Sequence, residues 1–345
     1  MTSFIKVPLI ASLAILAACG SGSGSDPIEL TPPDQIITHT YNAGGFITRS
    51  EYADAEGNLK TIETLTRDAN GNITRFETDF GADGSVNSIA TDSYDDNNNW
   101  LISKSNDNAD ESIDYSTINT YDANNNLTSR IDYTGDGEFD GTAYSKVTYT
   151  YDGNNNQTMK ESDSNANGSI DSITYYTYDD NNLLETISYD YDGAGDSGIS
   201  KLVTYIYDEN HNRTGVNTDS NNDGTVDTRY VYSYNESGQI TRGDYDSNAD
   251  GNINSIETTT YDSSGNRVKY EYDVDADGIA DDTWIYTYDS RKNLTSEKIS
   301  SIRDGVYYDI SSTSHTYDSK SRIVRTEYDS DGDGELDNII QFIHI

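Results

Sequence analysis

The 345-residue chain is poor in cysteine, proline, histidine and positive charge: one, four, four and 22 residues respectively, the last against 61 acidic side chains. The lone cysteine, Cys19, leaves no internal disulfide, so any staple must come from a metal or from sheet pairing. No proline follows Pro33. A long body without proline suits an unbroken hydrogen-bonded ladder, because each proline would remove a donor. The histidines His39, His211, His315 and His344 lie far apart without metal-ligand spacing. Gly-x-Ser-x-Gly, His-Glu-x-x-His and phosphate-loop patterns are all missing, so an enzyme is not expected. A net charge of −39 makes nucleic acid and anionic lipid surfaces poor direct partners and divalent cations natural ones. Such acidity also fits disorder, but 29 tyrosines in alternating patterns argue for a folded body.

What is present begins with a leader. Residues 1–18 carry Lys6 and then an apolar run, Val7 to Ala18, that is too short to span a bilayer and has the layout of a secretory signal. The run ends Leu16-Ala17-Ala18-Cys19, which resembles the bacterial lipoprotein signal. That resemblance implies lipidation of Cys19 and, with Gly20 rather than aspartate following, an outer-membrane lipoprotein facing the periplasm or the exterior. Residues 19–38 are rich in Gly, Ser and Pro and read as a flexible tether. The repeat body is expected over 39–345.

That body is punctuated by tyrosine followed by a turn. Tyr41, Tyr94, Tyr121, Tyr151, Tyr178, Tyr207, Tyr234, Tyr261, Tyr288 and Tyr317 mark units of similar length, with Arg67 in the equivalent place once. Each turn reads Asp-x-x-Gly/Asn-Asn, as in Asp68-Ala69-Asn70-Gly71-Asn72; the fourth place requires a left-handed backbone, which glycine and asparagine tolerate. The segments between are strand-like. In Thr228-Arg229-Tyr230-Val231-Tyr232-Ser233-Tyr234 the rings fall on alternate positions and hence on one face, while Ser, Thr and charged residues take the other.

Every second connection is instead an acidic loop. Asp273, Asp275, Asp277 and Asp281 occupy positions 1, 3, 5 and 9 of a nine-residue loop with Gly278 at position 6, and Asp329, Asp331, Asp333 and Asp337 repeat the pattern around Gly334. Calcium takes six to eight oxygens in flexible geometry, and alternating carboxylates converge on one point when glycine turns the chain sharply. Related loops are Asp219/Asn221/Asp223/Asp227, Asp132/Asp136/Asp140, Asp246/Asn248/Asp250/Asn254, Asp163/Asn165/Asn167/Asp171 and Asp79/Asp83/Asn87. Asn106/Asn108/Asp110/Asp114 has Glu111 in place of the glycine, and the units near Glu56, Asp190 and Asp304 are degenerate. Position 12, a glutamate in EF-hands, is Trp284 or Ile340. The loops resemble calcium hairpins of integrin α-subunit propellers, which implies Asp281 or Asp337 as closing carboxylate and a carbonyl oxygen from Ile279 or Glu335. The alternative is a row of solvated Asp/Asn/Gly turns.

The Tyr-Asp-x-x-Gly/Asn-Asn punctuation resembles the YD-repeat, or Rhs-like, family, which implies hairpins wound into a curved β strip. The expected fold is all-β, a repetitive antiparallel β-hairpin array of about 11 units and about 22 strands forming a long twisted or curled sheet about 100 Å in extent, with a β-propeller as alternative. The expected function is a calcium-binding surface lipoprotein, structural or adhesive, in which several Ca2+ ions rigidify the array. The alternatives are a calcium-dependent carbohydrate-binding module, with a polysaccharide or cell-surface partner, and a passive envelope scaffold. Membrane contact is expected through the N-terminal lipid anchor.

Overall fold

A computed structural model describes residues 34–110, 112–135, 142–193, 195, 198–303 and 306–344. The leader, Cys19 and most of the expected tether, together with Asp136, Asp140, Glu111 and Asp304, lie outside the described residues. The chain forms 23 strands, from β1 (Gln35–Tyr41) to β23 (Asn338–His344), most of them seven residues long. Each pairs antiparallel with the next in sequence, as the repeated hairpins demand.

The open strip and the propeller are both corrected by one pairing. β1 lies beside β23, with Gln35 opposite Ile340 and His39 opposite His344, so the single sheet closes on itself as a barrel. The closure is parallel because the strand number is odd: in a meander of alternating directions the first and last strands then point the same way. Eleven two-strand units leave β23 over, after the last acidic loop, and that extra strand makes the number odd.

Register gives the barrel its tilt. Residues facing each other across the sheet run from His39, two residues before Tyr41, through Ser50 to Glu63, four before Arg67, and on through Thr78 to Ser88, six before Tyr94. Carried round the ring, that stagger tilts the strands by about 40°, and 23 strands at about 4.8 Å spacing enclose a ring about 45 Å across. Side chains cannot fill such a width. Accordingly only nine hydrophobic side chains are buried among the described residues, which makes the wall a single layer with both faces reached by solvent. Both faces also carry charge, Arg49–Glu51, Arg75–Glu77 and Lys269–Glu271 on one and Arg130–Asp132 on the tyrosine face, so neither offers the apolar belt of a membrane-spanning barrel.

The apolar core sits at the closure. Ile37, Tyr52 and Ile340 form a buried cluster with Tyr328 and Phe342 packed against it, and Ile36 and Ile339 are buried as well. Consecutive isoleucines in β1 and β23, and Tyr52-Ala53 in β2 beside them, bury apolar groups on both faces.

At the end of the barrel that carries the short turns, each aspartate organises its own connection. Asp122 accepts the N–H groups of Asn124 and Asn126 on one oxygen and the Asn126 side-chain amide on the other. The fourth residue is left-handed, as expected, whether it is Asn125, His211 or Lys292. Asn side chains then bond from turn to turn, Asn99 to Asn125 and Asn156 to Asn182. The tyrosines close the same rim. In eight units the hydroxyl of the strand-ending tyrosine donates to the first carbonyl of the preceding strand, Tyr151 to Leu127 at 2.9 Å and Tyr234 to Arg213 at 2.7 Å among them. Those carbonyls lie beyond the end of the ladder between consecutive hairpins, so the phenol satisfies an acceptor that the sheet leaves over. Arg67 does the same to Ile47 through Nε, and His344 to Ile323 through Nε2, its Nδ1 receiving the Tyr41 hydroxyl.

Candidate metal centre

The acidic loops form the opposite rim, and each ligand position has a local reason for its residue type. Position 1 lies at the end of a strand, or one residue before it at Asp79, and is buried: Asp79, Asp163, Asp190, Asp219, Asp246, Asp273 and Asp329 are between 0 and 7 % exposed. Their carboxylates accept backbone N–H groups from across the loop. Asp273 takes Asp277 N at 3.2 Å and Gly278 N at 2.8 Å, and Asp163 takes Asn167 N and Gly168 N likewise. Position 3 caps the N–H of position 5, as Asp275, Asn165, Asn221, Asn248 and Asp331 do. Position 5 caps the N–H of position 7, seen at Asp83, Asn167, Asp223, Asp250, Asp277 and Asp333. Position 9 reaches back to the N–H of position 2: Asn87, Asp114, Asp171, Asp227, Asn254, Asp281 and Asp337 all accept it, at 2.5–2.8 Å.

These caps hold the loops in a strained shape. Position 6 glycines such as Gly278 (φ 91°) are left-handed, and so is position 4, where Ala82, Ala109, Ala166, Ala249 and Ala276 adopt φ of 51–57°. Alanine pays for that conformation through its Cβ. At Gly332 no side chain is tolerated at all, since a Cβ would come 2.1 Å from the Asp309 carbonyl oxygen of the neighbouring strand. Sequence reasoning saw the glycine at position 6 and missed the alanine at position 4, whose recurrence was the available signal.

Two loops bring carboxylates together. Oxygens of Asp273, Asp275 and Asp281 lie within 4.8 Å of one another, and so do those of Asp329, Asp331 and Asp333; either triad could hold a metal ion. Asp277 and Asp337 complete the two expected sets as backbone caps beside the triads. In loops with asparagine at position 3 the amides intervene, Asn221 donating to Asp223 and Asn248 to Asp250. Asp132 stands within its strand, two residues before the strand ends, and its carboxylate is taken by Arg130 and the Thr117 hydroxyl. Asn106 and Asn108 keep the capping pattern with Asp110 and Asp114 despite the missing glycine. Near Asp190 burial pushes the carboxyl pKa up, but N–H groups of Asp192, Gly193 and Gly195 outweigh it and hold the group below the usual range. The unit near Glu56 is of the other kind: Asp54-Ala55-Glu56-Gly57-Asn58 repeats the short-turn pattern, with Asn58 N and Nδ2 on the Asp54 carboxylate. Its motif was legible and lay on the unexpected rim.

No family model and no curated protein matches the chain. Among solved structures it is similar to TcdB2-TccC3-Cdc42, at 13% identity and a TM-score of 0.35, over 86% of this chain and 20% of that one. A Tc holotoxin pore from Photorhabdus luminescens gives 13% and 0.32 over 86% and 20%, and a porin-like protein from Bacteroides uniformis 12% and 0.29 over 76% and 88%. The chain spans about a fifth of the length of the toxin chains. Likeness at this level is one of repeated β-strands and says nothing of activity.

Proposed function

We propose that this chain is a calcium-stiffened β-barrel lipoprotein of the bacterial outer membrane, structural or adhesive in role. One observation carries the calcium half. An amide oxygen caps a backbone N–H as well as a carboxylate does, and positions 3 and 9 use Asn for this in several loops. The negative charges of Asp275 and Asp331 are therefore beyond what loop folding needs. Two such charges about 4 Å apart repel by roughly 4 kcal/mol at an effective dielectric near 20, and a divalent cation reverses the sign. Asp273, Asp275 and Asp281, with Asp277, would hold one ion, and Asp329, Asp331 and Asp333, with Asp337, another. At dissociation constants of about 0.1–1 mM, millimolar calcium would stabilise each loop by roughly 0.4–1.4 kcal/mol.

The test is thermal unfolding with calcium and with chelator, on the native chain and on a variant carrying Asp275→Asn and Asp331→Asn. Calcium is expected to raise the native melting temperature by several degrees. In chelator the variant should melt above the native chain, because it keeps the caps and sheds the repulsion, and calcium should shift it less. Equal melting of the native chain in calcium and chelator would sink the reading.

A second reading, binding of a polysaccharide, is favoured by the aromatic patch on β15 (Thr228–Tyr234) to β19 (Asp282–Tyr288), where Tyr230 and Tyr232 stack at 4.8 Å and Tyr270 meets Trp284 at 5.1 Å on a solvent-reached wall. Glycan-array binding lost with Trp284→Ala would support it; no signal on any glycan would count against it.

A further inference from the structure

Chain direction makes the two rims unequal. Strands ending in the marker tyrosine run from the acidic loops to the short turns, so β1 starts at the loop rim, where the Asp34 N–H and carboxylate clasp the backbone of Ile339 beside the Asp329–Asp337 loop. Cys19 lies 15 residues before Asp34. A Gly/Ser-rich segment of that length spans about 20 Å on average and at most about 50 Å. A chain anchored at Cys19 would therefore enter the barrel at its loop rim.

The same rim carries most of the exposed large hydrophobic side chains. Phe80, Tyr191, Val274, Ile279, Val306 and Leu336 are 45–60 % exposed, and all stand in or beside loop-rim connections spread round the circumference. Scattered apolar residues need no explanation, but their gathering on one end of a ring does. A ring of loop tips meets a flat surface along its whole edge. Interleaved with these tips are the acidic loops, which repel an anionic surface when empty and bridge to its phosphates when they hold a divalent cation.

We propose that the loop rim is a membrane-docking surface, its apolar tips entering the headgroup layer of an anionic phospholipid bilayer while loop-bound calcium links the rim carboxylates to lipid phosphates. The bridging half rests on the reading of the loops as cation sites; the apolar half does not. Docking adds to any anchor at Cys19 and holds the barrel upright on its rim.

All described strands lie between Gln35 and His344, so a chain starting at Gly20 keeps the barrel and lacks the cysteine. The test is its co-sedimentation with phosphatidylethanolamine–phosphatidylglycerol vesicles, with phosphatidylcholine vesicles as the neutral comparison, in millimolar calcium or EGTA. The expected result is binding to the anionic vesicles in calcium, release in EGTA, and about tenfold weaker binding by a chain with Phe80→Ser, Tyr191→Ser and Val306→Ser, all outside the two carboxylate triads, whose melting temperature still rises with calcium. A wall substitution, Val231→Ser, should bind as the native chain does. The proposal is overturned if the triple variant binds like the native chain, or if calcium raises the melting temperature but no vesicle is bound. Calcium-independent binding that the triple substitution abolishes would overturn the bridging half and leave the apolar rim standing.

Discussion

The phenol of Tyr151 donates to the carbonyl of Leu127 at the turn rim, and seven other tyrosines repeat the arrangement. Tyr151→Phe keeps the ring and deletes the donor, so it should cost about 1 kcal/mol in urea unfolding, the usual net worth of such a bond. Titration acts at the same scale. The turn aspartates hold their carboxyls below the ordinary range, chiefly through the side-chain amide of the closing asparagine at Asp68, Asp122 and Asp289; Asp318, capped first by the Arg322 N–H, is lowered to about 2. The unfolded chain binds these protons more readily. Their contribution is complete above the unfolded carboxyl value of 3.8 and lost as pH falls through the lowered folded values, about 2 for Asp318. His39 and His315 act in a higher window. Burial lowers both, and His344 lowers His39 further, so their contribution is complete above 6.5 and falls as pH drops below it. His39 faces Ser50, Tyr41, Phe342 and His344, while Glu63, next in its row, is bound by the Tyr52 hydroxyl. Denaturant midpoints across pH should show two separate declines on acidification, and His39→Phe should flatten the upper one.

Among the elements, the two kinds of connection differ in how they obtain left-handed residues. Most short turns take Asn or Gly at the fourth place, His211, Lys292 and Ser321 being the exceptions, while most acidic loops place alanine there and let side-chain caps enforce it. Ala276→Gly should therefore raise stability in chelator by about 0.5–1 kcal/mol, relief of the Cβ clash exceeding the added unfolded-state freedom. A melting temperature that falls would show that the loop does not hold this shape. The caps also explain why the loops fold without regard to charge number, and why charge number is the informative variable.

For the whole molecule the closure is what matters, and it can be trapped. Thr38 lies opposite Ile343 across the seam. In a Cys19→Ser background, Thr38→Cys with Ile343→Cys should cross-link on oxidation and run faster on non-reducing gels, because neighbouring parallel strands bring the two Cα atoms within the roughly 4.4–6.8 Å that a disulfide spans. An open strip would leave them about 100 Å apart and uncross-linked. Ile340→Ala, by hollowing the seam core, should cost about 2–4 kcal/mol.

Period-two rings, tyrosine-aspartate punctuation and alternating acid loops determined, from sequence alone, the hairpins, their directions and the sorting of turns and loops onto two rims. Local backbone chemistry suffices for each of these, since every cap and left-handed residue lies within nine positions of its partner. Closure was decided only in three dimensions. It depends on a small stagger repeated in every hairpin until β23 returns to β1, and a pairing between residues some 300 apart leaves no local periodicity. Its one trace, Ile36-Ile37 and Ile339-Ile340 in the terminal strands, becomes meaningful once the two are seen side by side. The convergence of Asp273, Asp275 and Asp281 was likewise legible as spacing, but the distinction between carboxylates that cap and carboxylates in excess of capping required the fold, because it turns on which N–H each oxygen meets.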